Sequence, residues 1–200
     1  ERSKSVIVSA AMAAKTPSAS ATPGDPGASG LWPGRLAAGG SPFDGITARS
    51  PRPDLEAFLA SPAVRELAQQ ICEIGRRMWQ RAYVDGNGGN LALRVGPDLA
   101  LCTPTQISKG FMRPEDLCLV DLAGNQLAGA RKRTSEILMH LQIMQRQPRA
   151  VASVHCHPPY STGFAIAGVQ PPTCLTSEFE LTISLATAPY RTPGTPELGR

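Results

Sequence analysis

From Ser61 onward the apolar positions fall into a helical rhythm. Val64, Leu67, Ile71, Ile74 and Met78 recur every three or four residues, and Arg65, Glu66, Arg76 and Arg77 lie off that stripe. Ser61 followed by Pro62 suits a helix start, because a serine hydroxyl can accept a free N–H and proline needs none at the first position. The spacing predicts a helix ending near Tyr83-Val84, with one face on a sheet. Short apolar runs follow. Leu91–Val95 and Leu99–Thr103 flank Gly96-Pro97-Asp98 as a hairpin, and Leu117–Leu122 turns through Ala123-Gly124-Asn125 towards Gln126-Leu127. Thr134-Ser135 is expected to cap a second helix that runs to about Arg146, burying Ile137, Leu138, Leu141 and Met144, with Pro148 beyond its end. A buried strand over 150–157, a helix over 160–167 and a strand over 182–186 complete the pattern. Alternating strands and helices predict an α/β fold: a mostly antiparallel or mixed sheet covered by helices on both faces.

Composition separates the two ends of the chain. The first 53 of the 200 residues hold 7 Pro, 7 Gly, 8 Ser and 10 Ala, too little apolar surface to offset the entropy of ordering them. Residues 1–53 are therefore expected to form a flexible extension, with Trp32 and Phe43 either docked on the body or solvated, and residues 54–200 the domain. A run of eighteen apolar residues is absent, so no spanning helix is expected. The net charge of +4 is modest, and Arg131-Lys132-Arg133 is too short a cluster to argue for nucleic acid. Five Cys without a CxxC pair favour a reducing, cytoplasmic setting over a disulfide scaffold.

Candidate chemistry concentrates in the second half. His155 and His157 are two apart on a strand, so both imidazoles face one way and suit a shared cation; the bland alternative is two histidines satisfied by neighbours. Cys156 points oppositely, into the core. Glu136 follows two hydroxyls at a helix start, where free N–H groups attract anions, and either serves as a base beside a metal or simply answers the helix dipole. The Arg131–Arg133 run next to it makes that corner a possible phosphate site. His140, one turn on, is expected to be a structural hydrogen-bonding residue. Gly86-Asn87-Gly88-Gly89-Asn90 allows close backbone approach to an anion, though turns use the same residues. Lys109 is either solvated or within reach of that anion, and Arg113 is expected at the surface.

Taken in order, the segments GNGGNLALRV, LCTPTQISKGFMRPEDLCLVD, RTSEILMHLQIMQRQPRAVASVHCHPPYS and APYRTPGTPEL resemble the class II aldolase/adducin family, which includes L-fuculose-phosphate aldolase. The resemblance runs from about Asp54 to Arg200. It implies a three-layer sandwich, Zn2+ or another divalent metal, a tetramer, a small sugar phosphate as substrate, and no nucleic-acid or membrane partner. By motif, His155 and His157 correspond to two of three zinc histidines and Glu136 to the catalytic base. Gly89, Asn90, Thr105, Gln106, Thr134 and Ser135 correspond to the phosphate cradle, with Gln106 in place of a common glycine. The implied function is an aldolase-type lyase that cleaves a ketose 1-phosphate through a zinc-stabilised enediolate. The alternatives are a related epimerase or dehydratase, or a non-catalytic adducin-like assembly module. Glutamate at position 136, where the epimerases have aspartate, favours the aldolase branch. The family's third zinc histidine follows the PGTPEL-like segment, so the chain is expected to stop at Arg200 before it. The tyrosine that serves the fuculose enzyme as acid has no counterpart near Leu175 to Glu180, where Glu178 stands.

Overall fold

The computed structural model describes residues 45–147 and 150–172, together with 177, 185–189, 191, 192, 194, 195 and 197. Two helices come first: α1 spans Arg52–Leu59 and α2 spans Pro62–Gln80. The strands are β1 (Asn90–Arg94), β2 (Leu99–Cys102), β3 (Cys118–Asp121) and β4 (Gln126–Ala128), with a 3-10 turn at Pro114–Asp116. Helix α3 (Ile137–Arg146), strand β5 (Ala152–His155) and helix α4 (Pro159–Ala167) follow. The strands form one sheet in the order β4-β3-β2-β1-β5, and every neighbouring pair is antiparallel.

Side-chain alternation builds three layers. Leu91, Leu99, Leu101 and Leu119 point to one face, where they join Leu55 and Phe58 of α1 and Val64, Ile71 and Met78 of α2. Ala92, Ala100, Cys102, Cys118 and Val120 point to the other, under Ile137, Leu141 and Met144 of α3. Both faces are buried, so these strands read as continuous apolar runs rather than alternating ones. Ile46 and Ala48 also lie against the first face, and the Ala48 N–H donates to Asp98 Oδ2 at 3.0 Å.

Several expectations shift. Helix α2 stops at Gln80, followed by Ala82 at φ 54°, rather than reaching Tyr83-Val84. Its buried stripe contains Ala68 and Gly75, while Ile74 is 43% exposed. The reason lies across the interface: a Cβ on Gly75 would stand 2.7 Å from the Lys109 carbonyl oxygen, so only glycine lets the helix approach that loop. Helix α3 starts at Ile137 without a capping side chain. Thr134 and Ser135 do not cap it, because Arg133 bridges Pro104 and the Thr134 N–H donates to the Thr103 carbonyl at 3.0 Å. That pairing holds Arg133 and Thr134 extended, and a short turn at Ser135 and Glu136, where the Glu136 N–H donates to the Thr134 hydroxyl at 3.3 Å, leads into the helix. Strand β5 ends at His155, so His157 lies just past it, tied through its N–H to the Tyr83 carbonyl at 2.7 Å. Residues 185 and 186 are not in a strand; 182–184, Trp32, Phe43, Leu175 and Glu178 lie outside the described residues. Among the described residues no helix is long and apolar enough to cross a membrane.

Candidate metal and anion site

The sheet register assembles the centre. Pairing of β1 with β5 sets Asn90 opposite His155, at the sheet end where α3 begins. Glu136 Oε2 accepts hydrogen bonds from Asn90 Nδ2 and from His155 Nδ1, each 2.6 Å long. Behind Asn90, its Oδ1 lies 2.5 Å from Nε2 of His140, which is fully buried. His140 is thus the structural hydrogen-bonding residue expected, and it fixes which way the Asn90 amide faces.

Electrostatics follow from this chain of contacts. Burial alone would raise the Glu136 carboxyl, but the His155 and Asn90 hydrogen bonds and the nearby imidazoles hold it down at about 2. Burial pushes His140 down to about 3, helped by His155, so it is neutral at ordinary pH. Burial, with His155 beside it, also lowers His157.

A carboxylate on Nδ1 places the His155 proton there and leaves Nε2 with a bare lone pair, the form in which imidazole ligates metals. His157 Nε2 stands 3.2 Å from that atom, with the two ring centroids 4.8 Å apart. Two nitrogens on one tetrahedral zinc would be separated by about 3.3 Å. The pair therefore fits a divalent cation, with His155 and His157 as the residues that would hold it and Glu136 as the group that orients His155. Among the described residues no set of three His, Cys, Asp or Glu gathers around a point.

Beside the imidazoles lies a cavity of about 160 Å³. Gly89, Asn90, Thr105, Gln106, Thr134 and Ser135, the six residues expected to cradle a phosphate, all line it, as do Glu136 and His157. Gly89 sits at φ 71°, and a Cβ there would stand 2.8 Å from the His155 carbonyl oxygen, so the cradle and the histidine strand touch only because this residue is glycine. Gln106 has φ 57°, the left-handed conformation that glycine adopts most easily. Arg131, Lys132 and Arg133 are not among the lining residues. Arg131 pairs with Asp116 at 2.5 Å, and Arg133 donates to the Thr134 carbonyl at 2.9 Å. Among the described residues the cationic side chain lining this cavity is Lys109, which is 1% exposed and whose Nζ donates to the Ile107 carbonyl at 2.6 Å and the Asn87 carbonyl at 3.2 Å. Helix α2 packs against the Lys109 backbone at Gly75, a residue distant in sequence whose role no local pattern announces. Arg113 is exposed as expected, and Cys156 packs half-buried against the α1/α2 face.

Comparison with known proteins gives the family. The profile of the Class II Aldolase and Adducin N-terminal domain matches residues 69–200. The chain belongs to the class II aldolase/adducin family. Among curated relatives of that family, an L-fuculose phosphate aldolase of Methanococcus maripaludis is 44% identical over 96 residues, covering 48% of this chain and 52% of its own. A methylthioribulose-1-phosphate dehydratase of Methylococcus capsulatus is 41% identical over 95 residues, covering 48% of this chain and 46% of its own. A 3-oxo-tetronate 4-phosphate decarboxylase of Haemophilus influenzae is 31% identical over 140 residues, covering 66% of each chain. The chain thus spans about half the length of the first of these relatives. A sugar-phosphate aldolase structure from Thermotoga maritima superposes with a TM-score of 0.55 over 68% of this chain and 75% of its own. At 20% identity that likeness speaks to the class II aldolase fold.

Proposed function

We propose that this chain carries the metal- and phosphate-binding part of an aldolase-type lyase acting on a small sugar phosphate, a ketose 1-phosphate. The observation that carries the reading is a convergence. Two imidazole nitrogens 3.2 Å apart and a partly buried carboxylate adjoin a cavity lined by hydroxyls, side-chain amides and glycine backbone. Together these groups suit a polar oxygen-rich fragment at one end and a phosphoryl group at the other. The division into an extension over 1–53 and a catalytic domain over 54–200 belongs to this proposal, and among the described residues of the extension Ile46 and Ala48 touch the core.

The cradle residues act first. Thr105, Thr134 and Ser135 offer hydroxyl donors, and Gly89 offers backbone that approaches closely, so the phosphoryl end is fixed before any bond changes. A divalent cation held by His155 and His157 would supply Lewis-acid stabilisation of the negative charge that develops on the substrate oxygens. Glu136 has two parts to play. Oε2 holds Nδ1 of His155, so the proton-transfer part falls to Oε1. A carboxyl held near 2 stays ionised at neutral pH, so Oε1 is free of a proton and able to accept one, as a weak base. A tetrameric, cytoplasmic enzyme is the state this reading implies.

The test is incubation of the protein with zinc and a panel of ketose 1-phosphates, with detection of dihydroxyacetone phosphate. Release from at least one, abolished by Glu136→Ala and by His155→Ala, is expected. A metal-loaded protein that instead dehydrates a methylthio-sugar phosphate, or releases carbon dioxide from an oxo-acid phosphate, would move it to another branch. The similarity to a dehydratase and a decarboxylase keeps those branches open. Absence of stoichiometric metal would favour the assembly module.

A further inference from the structure

We propose that Lys109 supplies the positive charge that the cavity offers to a phosphoryl group, and so selects phosphorylated over neutral substrates. The inference rests on reading the cavity as an anion site. It goes beyond the family cradle, which accounts for the hydroxyl, amide and backbone donors only.

Three observations converge on this residue. Lys109 is 1% exposed, yet no carboxylate lies within ion-pair distance of its Nζ among the described residues. Glu136 acts on it only at longer range. A buried ammonium without a counter-ion is costly, and protein interiors keep such groups where something compensates for them. Among the described residues its hydrogen bonds are two, to the carbonyls of Ile107 and Asn87, and an ammonium has three protons to donate. Finally, the residue lines the same cavity as Thr105, Thr134 and Ser135. An anion seated there would meet one full positive charge and several neutral donors. The approach of α2 through Gly75, against the Lys109 carbonyl and Cβ, fixes the backbone from which that charge projects.

A purely structural lysine clip between Asn87 and Ile107 makes a different prediction. It would matter for stability and be indifferent to anions. Inorganic phosphate is the probe that separates the two, titrated into the wild-type chain and into Lys109→Met, with binding followed by calorimetry. Wild type should bind phosphate, and the variant should bind it about tenfold more weakly or worse. Equal affinity within about twofold would overturn the role of Lys109 and leave the proposed function standing. Failure of wild type to bind phosphate would overturn both. Should Lys109→Met not fold, the wild-type chain serves alone. It contains four lysines, at 4, 15, 109 and 132. With 13C at Cε, and the other three assigned by Lys→Arg variants, the Lys109 signal should move as phosphate is added. A stationary Lys109 signal at saturating phosphate would refute the proposal.

Discussion

The polar cavity and the imidazole pair share a wall but are held by different means. The cavity is shaped by backbone: Gly89 pressed on the His155 carbonyl, Gln106 in a left-handed turn, and an extended segment at Thr134 paired to Thr103. The imidazole pair is shaped by one side-chain chain, His140 to Asn90 to Glu136 to His155. Backbone walls are expensive to alter and tolerant of charge changes, whereas a side-chain relay is sensitive to a single charge. The two ends should therefore fail differently when perturbed, although they adjoin.

The largest effect is expected where the two meet. Gly89→Ala combines a positive φ with a Cβ placed against the His155 carbonyl. Strain and overpacking together should cost about 3 kcal/mol or more. Urea denaturation should show it, and both phosphate and zinc binding should weaken together. A variant within about 0.5 kcal/mol of wild type would mean that the wall yields more easily than backbone does.

Glu136→Gln should separate the ends. An amide can still receive the Asn90 and His155 donors, but the charge that fixes the His155 tautomer is gone. Zinc affinity should fall about 10–100-fold, measured against a chromophoric chelator. Phosphate affinity should hold or improve, since a negative neighbour of the cavity has been removed. A parallel loss of phosphate binding would show that the relay and the cradle are one cooperative unit.

How far the sequence reveals this site depends on the range of the interactions involved. The sheet is legible because Leu91, Leu99 and Leu119 and their neighbours are apolar on both faces, a local signal. The histidine pair is legible from strand periodicity, although His157 reaches the site from beyond the strand. The motif resemblance brought Gly89, Asn90, Thr105, Gln106, Thr134 and Ser135 to one cavity. Lys109 reads from the sequence as either solvated or within reach of an anion, and what decides between them, the packing of its loop against α2 at Gly75, belongs to tertiary structure. The start of α3 misleads for a related reason. Thr134 and Ser135 look like caps, but the pairing of Arg133 and Thr134 with Pro104 and Thr103 is worth more to the backbone than an earlier helical turn.

A smaller effect concerns pH. Burial lowers Lys109 from its usual 10.5 to about 8, against a raising contribution from Glu136. The unfolded chain then holds more protons than the folded one between about pH 8 and 10.5, so stability should rise across that window. The penalty should be fully present below pH 8. Bound phosphate favours the charged ammonium, so its stabilising effect should be largest below pH 8 and shrink above it. Urea midpoints from pH 7 to 10, with and without phosphate, check the sign. Lys109→Met should lack this part of the rise, and the difference between the proteins isolates it from other titrating groups.

The smallest effect tests the backbone side of the comparison alone. Gln106 lines the cavity and is exposed, and its φ of 57° suits glycine better than a residue with a Cβ. Gln106→Gly removes that strain, while the greater freedom of glycine in the unfolded chain works against the gain. The net should be a stabilisation of about 0.5 kcal/mol, read as a small rise in the urea midpoint. If the cradle acts through its backbone at this position, phosphate affinity should stay within about twofold, a difference below 0.5 kcal/mol. A clear loss of phosphate affinity in a stable Gln106→Gly variant would instead give the glutamine amide a direct part in holding the anion. Charge from Lys109 and backbone from Gly89 would then be joined by a third kind of contact, a side-chain amide.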